Sequence, residues 1–107
     1  MKKIFIASDH AGFNLKKDII QKFSKKQKIT DLGPSSDKSV DYPEYAHKLS
    51  KKVSSTNGSF GILICGSGMG MGIAANKNKK IRAALCYSVK NTKLSRLHNN
   101  ANIITLG

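Results

Sequence analysis

Short apolar runs alternate with lysine-studded amphipathic segments along this chain, and that alternation constrains the fold more than any other feature. Ile4-Phe5-Ile6-Ala7, inside Lys3–Ser8, is a near-continuous apolar run of the kind found in strands buried on both faces. Over residues 13–26, helical spacing gathers Leu15, Ile19, Ile20 and Phe23 on one face and leaves lysines for the other. Lys28 to Leu32 reads as a second strand, closed by the turn residues Gly33-Pro34-Ser35-Ser36. Asp41-Tyr42-Pro43-Glu44 has the pattern of a capping box. The helix behind it turns Ala46, Leu49 and Val53 inward and breaks at Asn57-Gly58. Phe60 to Cys65 is a third strand, Met71 to Asn76 a short helix and Ile81 to Cys86 a fourth strand. Ser88 to His98 forms a last helix, and Asn102 to Leu106 a fifth strand.

Strand-helix alternation implies right-handed crossovers and a parallel sheet covered on both faces. The expected fold class is therefore α/β: a doubly wound, Rossmann/flavodoxin-like, five-stranded parallel sheet with helices on both faces, forming a single domain over residues 1–107. Such sheets bind ligands at the carboxyl ends of their strands, near a topological switch point. Asp9-His10 follows the first strand and Cys65-Gly66-Ser67-Gly68 the third, so these groups should converge at that edge. His98-Asn99 precedes the fifth strand and sits at the far end of a helix, nearer the opposite edge. Chemistry involving His98 would therefore run across a subunit interface.

Charge raises the question of nucleic acid, since the formal net charge is +13. Of nineteen basic residues only Arg82 and Arg96 are arginine, the residue suited to bidentate phosphate or base contacts. The lysines are spread along the chain with no interleaved aromatic platform. This pattern argues against specific nucleic-acid binding and leaves only non-specific attraction to polyanions. The amino-terminal apolar stretch is too short for a secretion signal and is followed at once by Asp9-His10. No apolar run is long enough to span a bilayer. Cys65 and Cys86 lack metal-ligand spacing, and a reduced, cytoplasmic protein is expected.

The stretch Cys65-Gly66-Ser67-Gly68-Met69-Gly70-Met71-Gly72 puts glycines at alternate positions directly after a buried strand. Glycines there let successive N–H groups turn inward as an anion nest. A dinucleotide fingerprint does not fit, because Met71 stands where its third glycine belongs, and no Gly-Lys-Ser/Thr occurs. Cys65 at the loop entrance can be a buried strand-end thiol, or a base set at a helix N-terminus. Ser67 can be a turn serine, a proton relay or a hydroxyl ligand. Asp9-His10 can cap the strand end. Tyr42 can pack or bind. His47 belongs on an exposed helix face, and Cys86 in the core.

Taken together, Ile6-Ala7-Ser8-Asp9-His10-Ala11-Gly12-Phe13, Leu15-Lys16, Asp41-Tyr42-Pro43, Ile64-Cys65-Gly66-Ser67-Gly68, Ile73-Ala74-Ala75-Asn76-Lys77, Ile81-Arg82-Ala83 and Ser95-Arg96-Leu97-His98-Asn99 resemble the ribose-5-phosphate isomerase B family, collinearly over essentially the whole chain. The resemblance implies interconversion of ribose 5-phosphate and ribulose 5-phosphate with no metal and no organic cofactor. It implies that Cys65 moves a proton between C1 and C2 through an enediolate, that Ser67 assists at the sugar oxygens, and that His98 opens the furanose ring. The amides of Gly66, Ser67, Gly68, Met69 and Gly70 would stabilise the enediolate oxygen. Asp9, His10, Asn99 and Tyr42 match substrate-binding or pocket-lining positions. The implied partners are a small sugar phosphate and further copies of the chain, as a homodimer or dimer of dimers with shared sites.

The resemblance also implies a further turn, a helix and phosphate-clamping arginines after the fifth strand, whereas this sequence ends at Gly107. Weakened phosphate binding and exposed apolar sheet surface are the expected consequences. Two other readings stand beside the pentose isomerase: a galactose-6-phosphate isomerase-like activity, and an inactive truncated remnant of the fold.

Overall fold

The structure, a computed structural model, describes residues 2–107. Met1, the first residue of the expected 1–107 domain, lies outside the described residues. The elements alternate strictly: β1 (Lys3–Ser8), α1 (Phe13–Phe23), β2 (Lys28–Asp31), α2 (Tyr42–Ser54), β3 (Phe60–Ile64), α3 (Met69–Ala75), β4 (Ala83–Leu85), α4 (Val89–Asn99) and β5 (Ile103–Leu106). All neighbouring strands are parallel, in the order β2-β1-β3-β5-β4. From β1 the chain moves outward to β2, then crosses back to β3 on the other side of β1. That reversal is a topological switch point, and it leaves a crevice between the loops that follow β1 and β3. A second reversal inserts β5 between β3 and β4, so the last strand of the chain is an inner one.

One face of the sheet carries the main core. Phe5, Ala7, Leu63, Cys65 and Ile103 pack there against Ala46, Leu49 and Val53 of α2, and against Met71, Ala74 and Ala75 of α3. Each fully buried aliphatic side chain there contributes about 1.5–3 kcal/mol. Ala46, Leu49 and Val53 point inward as their spacing requires. Asp41 is the N-cap of α2 and Pro43 stands in its first turn, but the Asp41 carboxylate makes no capping hydrogen bond. The capping box is therefore present in sequence only. Ser88 does cap α4, accepting the Asn91 amide at 3.0 Å.

The other face is more open. Ile6 and Ile64 are fully covered, while Ile4, Ile62 and Ile104 line a groove of about 530 Å³ with Ile19 and Phe23 of α1. Here the apolar face expected for α1 needs correction. Leu15 is 38% and Phe23 43% exposed, and the one buried residue of the helix is Lys16. Helical spacing explains it: Lys16 lies three, four and seven residues before Ile19, Ile20 and Phe23, so it shares their face. The helix also stops at Phe23, short of residue 26.

Candidate active site

Cys65 is the first residue beyond β3, and its amide still donates to Leu106 O at 3.1 Å, which keeps the backbone in line with the sheet. Strand alternation turns its side chain toward α2 and α3, where it is 7% exposed. The Gly68 amide donates to Cys65 Sγ at 3.0 Å. That return is possible because Gly68 takes the left-handed conformation at φ 79°, and a Cβ there would stand 2.7 Å from Leu85 Cδ1. Gly66, Ser67 and Met69 remain exposed around the turn. Ser67 Oγ accepts the Met69 amide at 3.2 Å, the bond expected of a turn serine, and its hydroxyl keeps a donor to offer elsewhere.

The loop after β1 lies alongside. The Asp9 amide donates to Ile64 O at 3.0 Å, locking it to the end of β3. Asp9 is 8% exposed, and its Oδ1 accepts the Gly12 amide at 3.0 Å. Asp9 thus does close a strand-end turn, as its plainer reading has it, while its second oxygen remains available. His10 is exposed, and its Nδ1 accepts the Val40 amide at 3.2 Å, which puts the ring proton on Nε2. Tyr42 opens α2 and is 41% exposed. Its ring lies over Gly70 so closely that a Cβ on that glycine would come within 2.8 Å of it. Asp9, His10, Tyr42 and the Cys65–Gly70 loop therefore gather at the switch point.

His98 and Asn99 do not join them. Both are exposed in the last turn of α4, and Asn99 O accepts a bond from Arg82 Nε beside the start of β4. β3 alone, five residues long, separates the two sheet edges by roughly 17 Å.

A family model described as Ribose/Galactose Isomerase matches residues 4–107. The chain belongs to this family. Among its relatives, ribose-5-phosphate isomerase B of Escherichia coli (strain K12) is 41% identical over 108 residues, covering 100% of this chain and 72% of that protein. The solved ribose-5-phosphate isomerase B of Clostridium thermocellum superposes with a TM-score of 0.95 at 45% identity, covering 98% of this chain and 72% of the other. The crystal structure of ribose-5-phosphate isomerase B from Mycoplasma genitalium with bound ribulose-5-phosphate gives a TM-score of 0.91 at 45% identity, covering 98% and 71%.

Within this ribose/galactose isomerase fold, a residue given no role from the sequence braces the site. Lys16 is wholly buried, and its Nζ donates to both Asp31 oxygens, at 2.9 and 3.1 Å, and to Pro34 O. It ties α1 to the loop that delivers Val40 to His10 and Tyr42 to Gly70. The available signal was a lysine in register with Ile19, Ile20 and Phe23. Among the described residues no three His, Cys, Asp or Glu side chains cluster as metal ligands, and no helix is long and apolar enough to cross a membrane.

Proposed function

We propose that this chain interconverts ribose 5-phosphate and ribulose 5-phosphate, with Cys65 as the base. The observation that carries this is the Gly68 amide aimed at Cys65 Sγ at 3.0 Å, inside a loop walled by Asp9, His10 and Tyr42. A base that shuttles a proton needs a donor at its charged atom and a place shielded from bulk water. Likeness to an isomerase solved with ribulose-5-phosphate supports the substrate.

The Cys65 sulfur takes the proton from C2 of the open-chain aldose, and the electron pair forms a C1–C2 double bond with negative charge on the C1 oxygen. Amides of the Gly66–Gly70 loop receive that charge, an electrostatic contribution whose loss costs about 3–4 kcal/mol per donor in comparable sites. The proton returns to C1, and the C2 hydroxyl becomes the ketone as its proton passes to the oxygen on C1. Ser67 Oγ is the group placed to carry that second proton. Asp9, His10 and Tyr42 hold the sugar chain.

His98 and Asn99 complete the site of a neighbouring copy, where His98 opens the furanose ring. Their place at the opposite sheet edge supports a homodimer or dimer of dimers over a self-sufficient subunit. The working location is the cytoplasm.

The test is an isomerase assay on the 107-residue chain beside Cys65→Ala, with folding followed by circular dichroism. Wild-type turnover of ribose 5-phosphate and a loss of about 10²–10⁴-fold in the variant are expected. Activity that survives the substitution removes Cys65 from the mechanism. A folded but inert wild-type chain favours the remnant reading, and preference for galactose 6-phosphate favours the hexose enzyme.

A further inference from the structure

A second charged feature lies at the sheet edge opposite Cys65. A groove of about 400 Å³ runs between the α2–β3 turn, the approach to β4 and the α4–β5 turn. Lys2, Lys80, Arg82 and Arg96 line it, and among the described residues that line it there is no carboxylate. None of the four is ion-paired: Lys16–Asp31 is the one salt bridge among the described residues. Four like charges around one groove repel one another, and an anion in the middle reverses the sign of that energy.

Both guanidinium groups are held in place. Arg82 Nε donates to Asn99 O, while Arg96 Nη1 donates to Asn100 Oδ1 at 3.2 Å and to Ala101 O. Asn102 staples the two walls together, its Oδ1 accepting the Arg82 amide at 2.8 Å and its Nδ2 donating to Lys80 O at 3.0 Å. Each arginine uses only part of its five-donor fork in these bonds, so preorganised N–H groups remain on both. The Phe60 ring forms part of the wall, with Lys2 Nζ 5.1 Å and Arg96 Cζ 4.8 Å from its centroid.

We propose that this groove binds a small metabolite carrying two phosphate groups, as a diphosphate or a bisphosphate. Two such groups bring a charge of about −3 to −4, which answers four cations where a single phosphate would not. The open groove's volume falls in the range of small-molecule sites. Cations already occupy the one aromatic ring, so no stacking platform is left for the bases of a nucleic acid. The groove lies at the other end of the strands from Cys65 and uses none of the switch-point residues. Its Arg82 anchors on Asn99 O, beside the His98–Asn99 pair assigned above to a neighbouring copy's site.

The probe is inorganic pyrophosphate, titrated into the 107-residue chain at roughly 150 mM salt and followed by calorimetry and amide chemical shifts. One saturable site is expected, with shifts centred on Gly58, Ser59, Arg82 and Asn100. Lys2→Gln combined with Lys80→Gln should weaken binding about tenfold or more, since hydrogen bonds to charged groups are at stake. Neither lysine side chain makes a hydrogen bond within the protein among the described residues, so the fold should survive. Lys90→Gln with Lys93→Gln, in the first turns of α4 at the other sheet edge, should leave affinity unchanged. Inorganic phosphate should bind at least about tenfold more weakly than pyrophosphate. Shifts scattered over all lysines, or affinity insensitive to Lys2 and Lys80, overturns the site. Equal affinity for phosphate overturns the two-phosphate assignment. Tighter binding of a short single-stranded DNA through the same residues makes the groove a nucleic-acid surface instead.

Discussion

Lys16 Nζ lies 2.9 Å from Asp31 Oδ1, yet the two partners share the pair unequally: the lysine is wholly buried, and the aspartate side chain is 43% exposed. Water can solvate the carboxylate if the lysine is removed. If the carboxylate is removed, the buried ammonium keeps only the Pro34 carbonyl and no counter-charge. The pair also has a downstream load, because Asp31 Oδ1 accepts the Gly33 amide at 2.8 Å and so shapes the loop leading to Val40 and Tyr42.

Asp31→Asn should therefore destabilise the protein more than Lys16→Met. About 3–5 kcal/mol is expected for a buried charge left without its partner. For Lys16→Met, which keeps the aliphatic bulk, about 1–2 kcal/mol is expected from the loss of charge-assisted bonds. Urea unfolding of both variants decides it, and a larger loss for Lys16→Met would show that the packing of the stem, not the charge, dominates.

Gly68→Ala should damage the loop twice over. A left-handed backbone costs a non-glycine residue about 1–2 kcal/mol. The new Cβ would also stand 2.7 Å from Leu85 Cδ1 and 3.0 Å from the Leu106 backbone carbon. Relieving that contact moves the Gly68 amide away from Cys65, so turnover should fall together with stability. Stability lost with full activity kept would detach the amide–thiol bond from the chemistry.

Gly70→Ala should behave differently, because its neighbour can yield. The clash is with the Tyr42 ring at 2.8 Å, and Tyr42 is half in solvent. Stability should change by less than about 1 kcal/mol as the ring swings out, while KM for ribose 5-phosphate rises. In a Tyr42→Ala background the same substitution should add little, and a double-mutant cycle measures that coupling. Fully additive effects on KM would mean that the ring has no part in binding.

The groove formed by Ile4, Ile62, Ile104, Ile19 and Phe23 should bind an apolar fluorescent dye in the native protein. Phe23→Ser should lower that signal and reduce self-association seen by sedimentation, at small cost in stability because Phe23 is 43% exposed. Unchanged dye binding would place the accessible apolar surface elsewhere, with exposed Tyr87, Val89 and Leu97 the next candidates.

Much of this was legible in the linear order of residues. Ile62-Leu63-Ile64 running into Cys65-Gly66-Ser67-Gly68 announces a buried strand that ends in a glycine turn, and the structure puts that turn at the switch point beside Asp9 and His10. Inward residues of α2 follow from spacing alone, because one helix packs on one sheet face. Lys16 was not legible in the same way. Its burial is tolerable only because Asp31 and Pro34, 15 and 18 residues away, supply acceptors for the ammonium. The Asp41 capping box failed for the converse reason: a local pattern permits a hydrogen bond without requiring it.

Local periodicity and turn chemistry thus determined the kinds of element, their sequence and the loop that carries Cys65, since each depends on residues close together in the chain. Tertiary structure alone decided that β5 lies between β3 and β4 and that Lys16 is buried. Backbone hydrogen bonds between strands are the same whatever the side chains. Which strand neighbours which is therefore settled by how helices and side chains from distant parts of the chain fill the two faces of the sheet.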